Sequence, residues 1–253
     1  MKKAHLTDTH CHLNDPAFDG RVEEVLARAA EAGVTEVIVP GWDRESSLRA
    51  VALAAEFPAV RAAVGLHPWF VTESDDLSWL PPLLEEPQVI AIGEIGLDGA
   101  IEHDDPEQQE AVFRAQLALA AEHELLVLVH CRRRWDRLLP CLRETPVRGI
   151  MHAFSGSRET MRELLALGFY ISFSGSVTRP HAKRVRQAAA AVPADRLLAE
   201  TDAPAIGLDT VPAAQVGPDC IPAIIAVIAG LRSESPDALA IRMAGNLRAL
   251  LAP

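Results

Sequence analysis

Short apolar runs alternate along the chain with longer segments whose hydrophobic residues recur at helical spacing. The runs at 4–9, 35–40, 60–66, 89–95, 125–130, 148–152, 169–173 and 196–201 predict eight strands. Helical segments lie between them at 20–32, 45–56, 76–86, 106–123, 134–143, 158–167 and 181–191, with a terminal pair near 219–231 and 236–250. Unbroken apolar runs of this length, separated by helices, mark parallel strands buried on both faces. Ala-rich stretches at 115–121 and 188–191 suit helices that lie against a sheet. Eight strand–helix units in 253 residues predict an α/β fold, a (β/α)8 TIM barrel in a single domain spanning 1–253. A doubly wound open sheet is the competing arrangement. The stretch 203–222 holds four prolines and two glycines and reads as a long loop over the mouth.

The polar residues at the ends of these runs decide between the two folds. His10 and His12 finish the first run, Glu94 the fourth, His130 the fifth and His152 the sixth, while Asp202 follows the eighth. An open sheet cannot bring the ends of strands one, four, five, six and eight to one point. A closed barrel does so, at the mouth where barrel enzymes keep their chemistry. Four imidazoles and two carboxylates meeting there describe a site for two divalent cations.

Alternation in Asp8-Thr9-His10-Cys11-His12 places Asp8, His10 and His12 on one face. Both histidines can then hold one cation, with Asp8 deeper and accepting from an imidazole N–H. Taken alone, H-x-H is a weak signal that two histidines near a flexible terminus also satisfy. Glu94 follows five apolar or glycine residues, where an unpaired carboxylate is costly. Bridging two cations would satisfy both its oxygens; an ion pair with Arg132 is the other reading. His130 and His152, each at the end of its run, complete the second cation with Glu94. Asp202 binds the first cation or takes a proton from the attacking water, or else caps the turn before Pro204. Asp202 and Glu94 are therefore the catalytic candidates.

Three further residues face the mouth. His67, in Gly-Leu-His-Pro, completes neither cation and contacts substrate or packs the loop. Arg132 opens a run of three arginines, one of which would meet an anionic substrate. Ser155 begins Ser-Gly-Ser before a helix, where backbone N–H groups can hold a phosphate oxygen while Ser157 caps the helix.

Charge and composition narrow the classes. The formal net charge of −11 argues against a non-specific nucleic-acid binder with a basic face. It leaves room for a nucleic-acid-cutting enzyme, because bound cations invert the local charge. Cys11, Cys131, Cys141 and Cys220 form no C-x-x-C pair, which fits reduced thiols in a cytoplasmic protein. Cys11 and Cys131 neighbour proposed ligands but, by strand alternation, face the helices. No apolar segment follows Lys2 and Lys3, so no signal peptide is expected. No run approaches the ~20 apolar residues that span a bilayer. The expectation is a soluble cytoplasmic protein with no membrane and no obligate protein partner.

The motifs DTHCH, GLHP, GEIGLD, HCR, HAFSGS and ETDAP occur in that order. Order and spacing resemble the TatD family of metal-dependent hydrolases, within the amidohydrolase-like superfamily, from Asp8 to Asn246. The resemblance implies a TIM barrel, one or two divalent ions, and phosphodiester hydrolysis, with DNA as a substrate; the imidazole and carboxylate ligands themselves suit Zn, Mg, Mn or Ni. By motif position it implies that His10 and His12 are first-strand ligands, Glu94 the bridge, His130 and His152 the second-metal ligands, and Asp202 the last ligand and acid/base. Two departures concern substrate handling. Gly99-Ala100 follows GEIGLD where members often carry an aromatic residue. Gly217-Pro218-Asp219 stands where many carry Arg-Asn-Glu-Pro.

A two-metal phosphoesterase or nuclease is thus the leading expectation. A glutamate-bridged amidohydrolase or lactonase is the first alternative; the absence of lysine between Lys3 and Lys183 excludes a carbamylated-lysine bridge on a middle strand. A metal-holding protein without catalysis is the second alternative. It would close its coordination sphere, whereas six side chains shared by two cations leave positions for water.

Overall fold

The computed structural model describes residues 5–72, 76–101 and 105–252; the first residue of the first predicted strand lies outside them. Eight parallel strands run round the sheet in chain order: β1 (Leu6–Asp8), β2 (Val34–Pro40), β3 (Val60–Val64), β4 (Val89–Asp98), β5 (Leu126–Arg132), β6 (Gly149–Met151), β7 (Tyr170–Phe173) and β8 (Leu197–Ala199). Between them lie α1 (Val22–Glu31), α2 (Arg44–Glu56), α3 (Leu80–Leu84), α4 (Pro106–Glu122), α5 (Trp135–Glu144), α6 (Arg158–Ala166) and α7 (Lys183–Ala191). Two more, α8 (Ile221–Arg232) and α9 (Pro236–Leu251), follow β8. This is the (β/α)8 barrel.

Strand alternation divides the apolar residues into two layers. Ile38, Ala63, Ala91, Leu128, Ile150 and Leu198 meet inside the barrel, together with Leu247 and Leu250 of α9. Their neighbours, among them Val37, Val39, Ala62, Val129 and Ile171, form the layer under the helices. Helix α9 closes the N-terminal end of the barrel. There Asn246 Nδ2 donates to the carbonyls of Ala194 and Leu197 (2.8 and 2.9 Å). The mouth at the opposite end stays open.

The seam between β1 and β8 is closed by loop backbone and one buried carboxylate. The N–H of Asp202 donates to His10 O and that of His12 to Ala203 O, both at 2.8 Å. Asp8 Oδ1 accepts from the N–H of Thr201 (2.9 Å) and of His10 (3.2 Å), and its Oδ2 accepts from the Thr201 hydroxyl. Asp8 is therefore a clasp across the seam. It does not hold an imidazole N–H, the partner alternation suggested. Burial raises its carboxyl to about 7 despite these donors.

Three element boundaries differ from the sequence pattern for physical reasons. Strand β1 stops at Asp8, so His10 and His12 belong to the segment beyond the strand. Strands β4 and β5 continue past Glu94 and His130 to Asp98 and Arg132, paired as Gly96 with His130 and Asp98 with Arg132. Gly96 makes this approach possible: at φ +150°, any Cβ would lie 1.9 Å from the His130 carbonyl oxygen. Helix α3 is a single turn rather than the span 76–86. Asp76 holds Ser78 in a local turn, and Pro81 and Pro82, which lack N–H groups, are tolerated only in a first helical turn.

Candidate metal centre

The predicted ligands converge at the mouth. His10 and His12 come from the segment after β1, Glu94 from within β4, His130 from within β5, His152 from just beyond β6 and Asp202 from the turn after β8. Asp202 reaches the site from a left-handed backbone (φ 54°), while its carbonyl accepts from the N–H of Ala205 and Ile206. It thus shapes the turn with its backbone and faces the site with its carboxylate. Two triads lie with all ligand atoms within 4.8 Å of one another: His10, His12 and Asp202; and His10, Glu94 and His152. A third joins His67, Glu94 and His130.

Glu94 is the hub, and its two oxygens serve different neighbours. Oε2 lies 3.1 Å from His10 Nε2 and 3.5 Å from His12 Nε2. Oε1 lies 2.9 Å from His152 Nε2, 3.0 Å from His130 Nδ1 and 3.3 Å from His67 Nε2. Asp202 Oδ1 lies 3.4 Å from His12 Nε2 and 3.7 Å from His10 Nε2. The other reading of Glu94, an ion pair with Arg132, is not what the structure shows; Arg132 Nη1 instead approaches Asp98 Oδ2 at 3.5 Å.

The outer hydrogen bonds decide which imidazole nitrogens point inward as lone pairs. His130 Nε2 pairs with Asp98 Oδ2 (3.0 Å), which turns Nδ1 to Glu94. His152 Nδ1 pairs with Glu200 Oε1 (3.2 Å), which turns Nε2 to Glu94. His12 Nδ1 donates to Pro40 O (3.3 Å), which turns Nε2 to Asp202 and to His10 Nε2, 3.2 Å away. His67 is set the other way. Its Nδ1 accepts the Trp69 N–H (3.2 Å), so Nε2 carries the proton and donates to Glu94. His67 is a donor at the edge of the cluster and the other four histidines are the metal-capable ones.

This donor set fits divalent cations. Inward ring nitrogens of His12, His130 and His152 lie 3.4, 3.0 and 2.9 Å from carboxylate oxygens of Asp202 and Glu94, contacts that need either a shared proton or a cation between them. Burial alone would strip these rings of a second proton, yet the carboxylates override it: His12 rises to about 10, and His130 and His152 also rise. Burial would likewise raise Glu94 and Asp202, but the surrounding imidazoles hold both below the ordinary carboxylate range. His10 and His67 go down through burial, His67 to about 4. His10 Nδ1 has no hydrogen-bond partner among the described residues. Imidazole nitrogen with carboxylate oxygen suits Zn, Mn or Ni as well as Mg.

Two carboxylates that orient the ligands were not read from the sequence. Asp98 accepts from His130, Trp69 Nε1 (2.6 Å) and Arg132; burial would raise it, but His130 and Trp69 hold it at about 2. Glu200 accepts from His152 and the Ala153 N–H. The available signal was a second carboxylate inside each of GEIGLD and ETDAP, one more per motif than the ligand count used. Glu200→Ala should weaken cation affinity by about 10–100-fold, the usual effect of losing such an outer partner. Calorimetric titration with Zn or Mn checks this; unchanged affinity would show that packing alone orients His152.

The cluster floors a cavity of about 640 Å³, in the range of small-molecule sites. Arg132 and Ser155 line it, and so do His67, Trp42, Trp69, Phe70 and Ile206. Ser157 caps α6 through the Thr160 N–H (3.1 Å). All four cysteines are free, and Cys11 and Cys131 lie in the layer under the helices. No helix among the described residues is long and apolar enough to cross a membrane.

A closed parallel barrel with an imidazole–carboxylate cluster at its mouth defines a metal-dependent hydrolase, and comparison with known proteins agrees. The family described as TatD related DNase matches residues 7–252. The uncharacterized metal-dependent hydrolase YjjV of Escherichia coli is 38% identical over 247 residues, covering 94% of this chain and 95% of YjjV. The 3'-5' ssDNA/RNA exonuclease TatD of Klebsiella pneumoniae is 37% identical over 259 residues, covering 96% of each. The crystal structure of the Escherichia coli YjjV, a TatD homolog, superposes with a TM-score of 0.91 at 35% identity over 99% of each chain. The chain belongs to the TatD-related DNase family.

Proposed function

We propose that the protein is a phosphodiesterase of the nuclease type that cleaves nucleic acid strands with two divalent cations. The carrying observation is the division of Glu94: one oxygen faces His10 and His12, the other His130 and His152, as a bridge between two cations requires. His10, His12 and Asp202 would hold the first cation, and His130 and His152 the second. Divalent cations held there would supply the acidity of a bound water and the charge to offset a phosphoryl oxygen. Asp202 takes the proton from the attacking water. Arg132 meets the non-bridging oxygens, His67 holds Glu94 in place through its Nε2–H, and the backbone N–H groups from Ser155 onward hold the phosphate at the start of α6. The exonuclease activity in the name of the Klebsiella relative supports nucleic acid as the substrate class. The four free thiols suit a reducing cytoplasm.

The test is restoration after chelation. Protein stripped with a chelator and reloaded with Mg, Mn, Zn or Ni is assayed on bis(p-nitrophenyl) phosphate, single-stranded DNA, and a panel of amides and lactones. Turnover of the phosphodiesters, lost on chelation and regained with a metal, is expected. Hydrolysis confined to amides or lactones would replace this reading with the amidohydrolase one, and no turnover of any substrate would leave a metal-holding protein.

A further inference from the structure

Trp69 and Phe70 are large aromatic side chains left 52% and 43% exposed, and both line the catalytic cavity. Exposed aromatic surface of this kind is held at a hydrophobic cost, and here it lies beside the metal cluster. The indole of Trp69 is 5.1 Å from the His67 ring and 6.4 Å from His130, centroid to centroid; Phe70 is 6.5 Å from His67. Trp69 is also fixed in orientation. Its Nε1–H donates to Asp98 Oδ2 at 2.6 Å, the same oxygen that holds His130. The polar edge of the indole is therefore used up, and what this cavity-lining ring still offers is its apolar π-face. Asp98 also approaches Arg132, so one carboxylate aligns a metal-capable imidazole, an arginine and an aromatic plane.

We propose that Trp69, with Phe70 beside it, is a stacking platform for an unpaired nucleobase next to the phosphate under attack. The inference rests on the phosphodiesterase reading and adds a specificity residue to it. Charge supports the choice of a base as occupant. At a net charge of −11 the protein lacks the excess of cations that usually holds a phosphate backbone. Stacking on an aromatic face is the contact that binds single strands without regard to sequence. A base inside a duplex keeps its faces covered by its neighbours, so the platform selects single-stranded or frayed ends. Asp98 is a positioning residue here, since it acts on the base only through the indole.

The experiment compares a short single-stranded DNA with the same strand made abasic over its terminal nucleotides. Binding is read by fluorescence anisotropy of an end-labelled strand and turnover by kcat/KM, both with metal-loaded protein. Trp69→Ala should lower affinity and kcat/KM for the base-bearing strand by about 5- to 150-fold, the span reported for loss of one base–aromatic stack. The loss on the abasic strand should be far smaller. Trp69→Phe, which keeps a ring but loses the bond to Asp98, should fall between wild type and Trp69→Ala. Phe70→Ala gives an independent second variant with a smaller loss of the same kind. Equal losses on both strands, or none on either, would overturn the platform. So would wild-type protein that binds both strands alike. Preferential binding of the base-bearing strand without any cleavage would instead sink the phosphodiesterase reading and leave the platform standing.

Discussion

Glu94→Gln is expected to remove about 10³–10⁴-fold of turnover, the equivalent of several kcal/mol of charge stabilisation at tenfold per 1.36 kcal/mol. The side chain keeps its size but loses its charge and presents one oxygen where two are used. Whichever way the amide turns, an NH2 group faces either the His10–His12 side or the His130–His152 side. On the two-cation reading, one of the two positions then loses its carboxylate. Metal analysis should find fewer than two equivalents bound, while circular dichroism stays that of the wild type, since the barrel strands do not depend on this side chain. A Glu94→Gln protein with a full complement of metal and wild-type kcat would remove the bridge from the mechanism.

The second large effect belongs to Asp202. Its left-handed backbone is a conformation that asparagine tolerates as well as aspartate, so Asp202→Asn changes the chemistry with little disturbance of the turn. Loss of the proton acceptor should lower kcat by about 10²–10⁴-fold, with a much smaller change in KM. The unfolding temperature should stay close to wild type. Rates within a few-fold of wild type at saturating metal would show that another group takes the proton.

These two residues were visible in the primary structure, and so were their partners. A histidine or carboxylate that ends an apolar run has few roles, and five such ends become one site as soon as the strands close into a barrel. The seven-residue reach of β5 to Arg132 and the extension of β4 to Asp98 were not visible. The ladder there continues because glycine at position 96 lets two backbones come close, and no side-chain pattern marks that event.

The orienting groups were hidden for a related reason. Asp98 and His130 are separated by 32 positions, His152 and Glu200 by 48, and Asp8 and Thr201 by 193. A spare carboxylate can be counted in the sequence, but its partner cannot. Asp8 is the instructive case. Alternation placed it beneath the histidines as an imidazole partner, yet β1 ends at that residue and its oxygens go to the β8 side of the seam. His67 shows the same limit in another form. Its position faced it to the mouth, but only the Trp69 N–H on Nδ1 makes it a proton donor toward Glu94.

What the amino-acid sequence determined by itself was the count of strands, their burial on both faces and the identity of the groups at their ends. Those properties are local: they depend on residues a few positions apart and on the period of the element they occupy. Tertiary structure alone decided which nitrogen of each imidazole faces Glu94 and Asp202, which carboxylates sit at the centre of the cluster and which orient it, and where an exposed aromatic residue meets the cavity. Those properties are set by distances of about 3 Å between segments far apart in the chain, where hydrogen bonding assigns each donor and acceptor its direction.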